Sequence, residues 1–156
     1  MSDVGSEALL AEQVAYYRAV APEYEDRYLR YVERSGEELV AALHAFGPEG
    51  DVLELACGPG TWTLHLAEHS TSLTCVDASP EMLAQAERRV GTEGIRFERA
   101  DIFAWWPERR YDLVFFGFWL SHVPPERFEG FWSLVAECLR PGRARVLRRR
   151  RLQGSQ

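Results

Sequence analysis

Glu54, Gly58, Gly60, Asp77, Asp101 and His122 are the residues of this chain whose types and spacing invite chemistry. The two glycines close the stretch VLELACGPG, Val52 to Gly60, in which strand formers run into a turn that bends sharply and leaves backbone exposed. Thr61 opens a run (Trp62, Leu64, Leu66, Ala67) with the spacing of an amphipathic helix. A strand, a glycine turn and a helix in that order build a nucleotide-binding crevice. A dinucleotide fingerprint needs a third glycine, and Thr63 stands in its place. Glu54 lies inside the strand, where a buried carboxylate is costly unless it meets a cationic or hydrogen-bonding partner, and a ligand carrying an ammonium group would suit it. Asp77 ends a second strand-like stretch, Ser72 to Asp77, 17 residues beyond Gly60. A carboxylate at a strand's carboxyl end can accept both hydroxyls of a ribose; a solvated turn acid is the alternative. Asp101 follows a third alternating stretch from Ile95 and is also placed to cap a short helical turn, Phe103 to Trp106. His122 sits in a loop, where a group titrating near neutrality can take a proton from an acceptor, or can simply hydrogen-bond its neighbours. His44, His65 and His69 fall on predicted helices with nothing chemical nearby.

The elements that must position these residues follow in order. Glu7 to Val20 has near-helical apolar spacing, broken at Pro22, and a second helical piece follows. Ser35-Gly-Glu-Glu38 is a capping box for a further helix through Leu39, Leu43 and Phe46, stopped at Gly47-Pro48. Ser79-Pro80 supplies an N-cap and a first-turn proline for a helix through Met82, Leu83 and Ala86. The near-continuous apolar run from Tyr111 to Gly117 has the pattern of a central strand in a parallel sheet. Pro125 opens a helix with Phe128, Phe131, Trp132, Val135 and Leu139 on its core side, ended by Pro141-Gly142.

The stretch from Glu54 to Gly60 resembles the first motif of the class I S-adenosylmethionine-dependent methyltransferases, small-molecule type. Three later stretches fall in that family's order and spacing, so the resemblance spans residues 10 to 142. It implies an α/β, Rossmann-like, doubly wound parallel sheet in the order 3-2-1-4-5 with helices on both faces, and S-adenosyl-L-methionine as cofactor. It implies cofactor contacts from Tyr17, Glu54, Ala56, Gly58, Gly60, Asp77, Ala78, Met82, Asp101, Ile102 and Phe118. Glu54 and the glycines would serve the methionine end, Asp77 the ribose, and Asp101 with Ile102 the adenine. Tyr24, Trp119 and His122 would line the acceptor pocket, with His122 as the candidate catalytic base and no metal. Tyr16 to Tyr24 is similar to the family's lid segment, or is an amphipathic helix with core aromatics. The implied organisation is a helical lid segment at 1–48, a cofactor-binding domain at 49–147 and a basic tail at 148–156.

Bulk properties bound the rest. At 156 residues, with 46% hydrophobic and 12% aromatic residues, one folded domain is expected. No apolar run reaches the length of a membrane span, and the amino terminus lacks the regions of a signal peptide, so a cytoplasmic location is expected. Cys57, Cys75 and Cys138 are scattered and read as reduced core residues. All 24 acidic residues lie before residue 138, while seven of the 18 basic ones lie between Arg140 and Arg151. The acidic body disfavours nucleic acid as partner and favours a small-molecule acceptor. Ala144 to Leu147 is expected as a short strand at most, because Arg148 to Arg151 is too polar for a buried central one. The family's terminal antiparallel strands are expected to be missing, the carboxyl end truncated or altered, and the open sheet edge to favour a homodimer. A non-catalytic cofactor-binding or partner-interaction module is the alternative function, and a nucleic-acid or acidic-partner tail the alternative for the arginine run.

Overall fold

In the computed structural model, the residues described are Ala15, Glu38, 40–117 and 123–142, together with the backbone of 145–149. Five parallel strands form one sheet in the order β3-β2-β1-β4-β5, as expected: β1 (Gly50–Leu55), β2 (Ser70–Asp77), β3 (Ile95–Arg99), β4 (Leu113–Gly117) and β5 (Arg145–Arg149). Among the described residues, 40–46 end a helix, here α1. The others are α2 (Thr63–His69), α3 (Pro80–Val90) and α4 (Phe128–Cys138).

The period-2 alternation of β1 and β4 sorts their side chains into two cores. On one face Leu53, Leu55, Val76, Val114 and Phe116 pack against Phe131, Leu134, Val135 and Cys138 of α4. On the other, Val52, Leu73, Cys75, Leu113 and Phe115 meet Leu43 of α1, Leu66 of α2, Leu83 of α3, and Trp62. Full burial of a Leu or Phe side chain contributes about 1.5–3 kcal/mol. Packing on the sheet, rather than intrinsic propensity, therefore supports a helix as short as α2.

Local chemistry sets the helix ends. Gly47, at φ +69°, stops α1 and donates its N–H to the carbonyls of Leu43 and His44. Ser79 Oγ accepts the Met82 N–H at 3.2 Å, and Pro80 occupies the first turn, so α3 starts where the sequence predicts. Glu81 in the first turn and Arg88 and Arg89 in the last complement the helix dipole. Pro125 opens a single 3-10 turn, Pro125–Arg127, before α4 proper. At the amino ends of the strands, Arg140 joins Asp112 (2.7 Å) and Asp51 (2.6 Å), tying the turn after α4 to the starts of β1 and β4.

Four expectations are corrected. Phe128, expected on the core side of α4, is exposed at its first turn, where Phe131, Leu134 and Val135 take the inward positions. Leu64 is exposed on α2, because Thr63 and Leu66 take the inward positions of this short helix. The turn after Asp101 ends before Trp105, whose indole instead donates to Glu98 at 2.8 Å. β5 runs through Arg148 and Arg149, and pairs with β4 as far as Gly117↔Arg149. Among the described residues β5 neighbours β4 alone, and a strand paired on one side tolerates charge that a central one does not.

Candidate functional site

The carboxyl ends of β1, β2 and β3 lie side by side, and the loop 56–61 leaves β1 and bonds to the end of β2. Ala56 (φ +54°), Gly58 (φ +56°) and Gly60 (φ +86°) are all in the left-handed region. A strained non-glycine residue in such a loop is the kind of outlier that accompanies a ligand site. The loop is fixed from three sides: the Cys57 N–H donates to the Val76 carbonyl (3.2 Å), Arg89 Nε donates to the Pro59 carbonyl (3.1 Å), and the Gly58 N–H donates to Asp77 Oδ2 (2.9 Å).

Asp77 is half-buried, and its other oxygen accepts the Ser79 N–H at 2.8 Å. Burial raises its pKa, partly offset by these backbone donors. The Asp77 carbonyl receives the Ala100 N–H at 3.1 Å, which sets the end of β3 beside that of β2. Asp101 follows, exposed, with Oδ1 accepting the Phe103 N–H at 3.0 Å. The capping role is thus formed in the structure.

Glu54 is buried beneath the loop, and Oε2 accepts the Thr63 hydroxyl at 2.6 Å and the Cys75 thiol at 3.5 Å. Burial pushes its pKa up to about 8, against the lowering effect of those two donors. Thr63, the residue in the third-glycine place, is therefore the partner a buried acid requires. Spacing alone did not mark this pair: the hydroxyl lies nine residues after the carboxylate, in the first turn of α2, and reaches it only through the fold. Sequence reasoning also passed over Thr61, whose buried Oγ1 has no hydrogen-bond partner.

Of the other expected site residues, Ala78 is half-buried beside Asp77, while Met82 and Ile102 are core residues, 2% and 4% exposed. Tyr17, Tyr24, Phe118, Trp119 and His122 lie outside the described residues. The expectation that His44, His65 and His69 have nothing chemical nearby is overturned, because α1 packs on α2 and brings their rings together. A separate cavity of about 330 Å³ opens towards the amino ends of β2 and β3, lined by Thr74, Arg96, Trp105 and Tyr111 among others, and does not adjoin the loop.

The three cysteines are buried and free. A hydrogen bond with Cys75, then burial, pushes the Cys57 thiol well up; burial raises Cys75 and takes Cys138 to about 12. None should react with a thiol-exchange reagent in native buffer, and all three should react in denaturant. Rapid native labelling of Cys57 would show that the loop opens.

Among the described residues no helix is long and apolar enough to cross a membrane. Residues 52–142 match the model of a methyltransferase-domain family. Trans-aconitate 2-methyltransferase of Escherichia coli O139:H28 (strain E24377A / ETEC) is 38% identical over 87 residues, 54% of this chain and 33% of that protein. The same enzyme of Shigella flexneri serotype 5b (strain 8401) gives the same figures, so the match spans about a third of the length of these relatives. Among solved structures, the DhpI–SAH complex is 40% identical with a TM-score of 0.83, over 90% of this chain and 69% of that one. The DhpI-SAM-HEP complex is 42% identical with a TM-score of 0.79, over 86% and 62%.

Proposed function

Given that this chain belongs to the methyltransferase-domain family, the class I S-adenosylmethionine-dependent methyltransferases, we propose that it holds S-adenosylmethionine over the loop 56–61 and directs the methyl group to a small-molecule oxygen, nitrogen or carbon. The observation that carries this reading is the Asp77 carboxylate bonded to the Gly58 N–H, an acid fixed beside a bent backbone at the end of β2. The residues present fit the cofactor. A methyl group built on Gly58 meets nothing within 4 Å, so the loop has open space beside it. Thr61 Oγ1 is an unused polar atom at the same loop. Each Asp77 oxygen, already bonded once, keeps a lone pair for a ribose hydroxyl.

When bound, the sulfonium supplies an activated methyl group, so the protein's task is alignment. Asp77 would hold the ribose hydroxyls, and Asp101 with Ile102 would serve the adenine. Glu54, which accepts the Thr63 hydroxyl beneath the loop, would serve the methionine end together with Gly58 and Gly60. Tyr17 and Phe118 are assigned to the cofactor, Tyr24 and Trp119 to the walls of the acceptor pocket, and His122 to removal of a proton where the acceptor carries one. The acidic body and relatives named for trans-aconitate support a small acceptor over nucleic acid.

Calorimetry with S-adenosylmethionine and its demethylated product tests the reading. The wild-type chain should bind both, and Asp77→Ala should bind about 100-fold more weakly or worse, because hydrogen bonds to a charged group contribute about 1.5–3 kcal/mol each. Binding of neither by the wild-type chain would sink the proposal. Tight binding without methyl transfer to any of a panel of small acids, alcohols and amines would favour the cofactor-binding module instead.

A further inference from the structure

α1 lays His44 against one face of α2, on which His65, Glu68 and His69 recur at i, i+3 and i+4. Ligand atoms of His44, His65 and Glu68 all lie within 4.8 Å of one another. His44 Nε2 is 3.8 Å from Glu68 Oε2, while its Nδ1 faces Nε2 of His69. The rings of His44 and His65 meet edge-on with centroids 6.0 Å apart, and His65 Nδ1 is buried with no hydrogen-bond partner. Among the described residues no hydrogen bond, ion pair or ring contact joins these four side chains to the loop 56–61 or to Glu54, Asp77 or Asp101, so the cofactor reading does not explain them.

We propose that His44, His65 and Glu68 form a binding site for a divalent transition-metal cation of the zinc class, with His69 orienting His44. Two imidazoles and a carboxylate are a donor set that zinc accepts, with water completing the coordination. In the tautomer where His44 Nδ1–H donates to His69, Nε2 carries the lone pair and faces Glu68, the arrangement by which outer residues orient a metal-binding imidazole. Donors around a zinc ion stand closer together than 4.8 Å, and exposed Glu68 has the freedom to swing inward. The ion would clamp α1, the helix that leads into β1, to α2, the helix that leaves the glycine loop. The site does not depend on the cofactor reading, and either can fail without the other.

The test uses the full untagged chain, stripped with a chelator and titrated with zinc chloride by calorimetry, with cobalt(II) as a spectroscopic stand-in. The expected result is one bound zinc per chain, a raised melting temperature, and a cobalt spectrum of a site with nitrogen and oxygen donors. His44→Gln and His65→Gln should each weaken zinc binding by at least tenfold, and His69→Gln by about tenfold, as loss of an orienting partner does. If the histidine variants fail to fold, Glu68→Gln at an exposed position reads the same site. Absence of stoichiometric binding, or zinc affinity unchanged in the His44 and His65 variants or in Glu68→Gln, would overturn the proposal.

Discussion

Glu54→Gln should make the domain more stable above neutral pH, and less dependent on pH throughout. Burial raises the Glu54 carboxyl from 4.5 to about 8, so between those values the native chain holds a proton that the unfolded chain has released. The slope of unfolding free energy with pH then has the sign of fewer protons in the unfolded state, and stability falls as pH rises through that window. By about pH 8.5 the accumulated penalty is on the order of 4 kcal/mol, at 1.36 kcal/mol per pKa unit. Glutamine cannot ionise, and its amide oxygen can still accept the Thr63 hydroxyl. Its amide N–H groups meet only the weak Cys75 acceptor, a loss of about 1–2 kcal/mol. The net expectation is a gain of about 2–3 kcal/mol near pH 8.5 and equality or a slight loss near pH 5. Asp77, also raised by burial, keeps a residual slope of the same sign in the variant. Asp51 and Asp112, held low chiefly by hydrogen bonds, from Ser72 and Arg140 to the one and from the Asp51 N–H and Arg140 to the other, act only below the ordinary carboxylate range. Urea unfolding of both proteins across this pH span decides the matter. A variant less stable at every pH would mean that Glu54 is ionised and favourably paired.

The order of the sheet and the place of the loop were legible because each rests on local pattern. β4 is apolar on both faces and must be central, and Ser79-Pro80 fixes the start of α3 whatever surrounds it. The acids at the strand ends were legible for the same reason, since a carboxylate that ends an apolar run has few places to go. What Glu54 meets was not, because Thr63 comes over it only when α2 folds back on β1. The histidine cluster shows the same boundary. His65 and His69 announce a shared face by spacing alone, but His44 arrives from 21 residues away in sequence through packing of α1. β5 was misjudged by applying the rule for a buried central strand to one that has β4 as its neighbour.

Gly60→Ala and Gly58→Ala should separate the stability of the loop from its use. A Cβ at Gly60 would stand 2.9 Å from Ala86 Cα and 3.0 Å from Ala86 Cβ, both fixed in α3, so the helix or the loop must move. Positive φ at a residue with a side chain costs about 1–2 kcal/mol, and overpacking against a helix backbone about 1–3 kcal/mol more. Gly60→Ala should therefore lose about 2–5 kcal/mol of stability, a large share of the 5–15 kcal/mol typical of a domain. The helix that moves is also the one whose Arg89 holds the Pro59 carbonyl, so cofactor binding should fall with it. Gly58→Ala meets no neighbour and should lose only the backbone strain, about 1 kcal/mol. Its methyl group nonetheless enters the open space beside the loop, so cofactor affinity should fall more than stability does. Chemical denaturation and calorimetry on the two variants give four numbers with a definite pattern: stability lost mainly at Gly60, binding lost at both. Gly58→Ala binding the cofactor as the wild type does would count against a ligand seated in the open space beside Gly58.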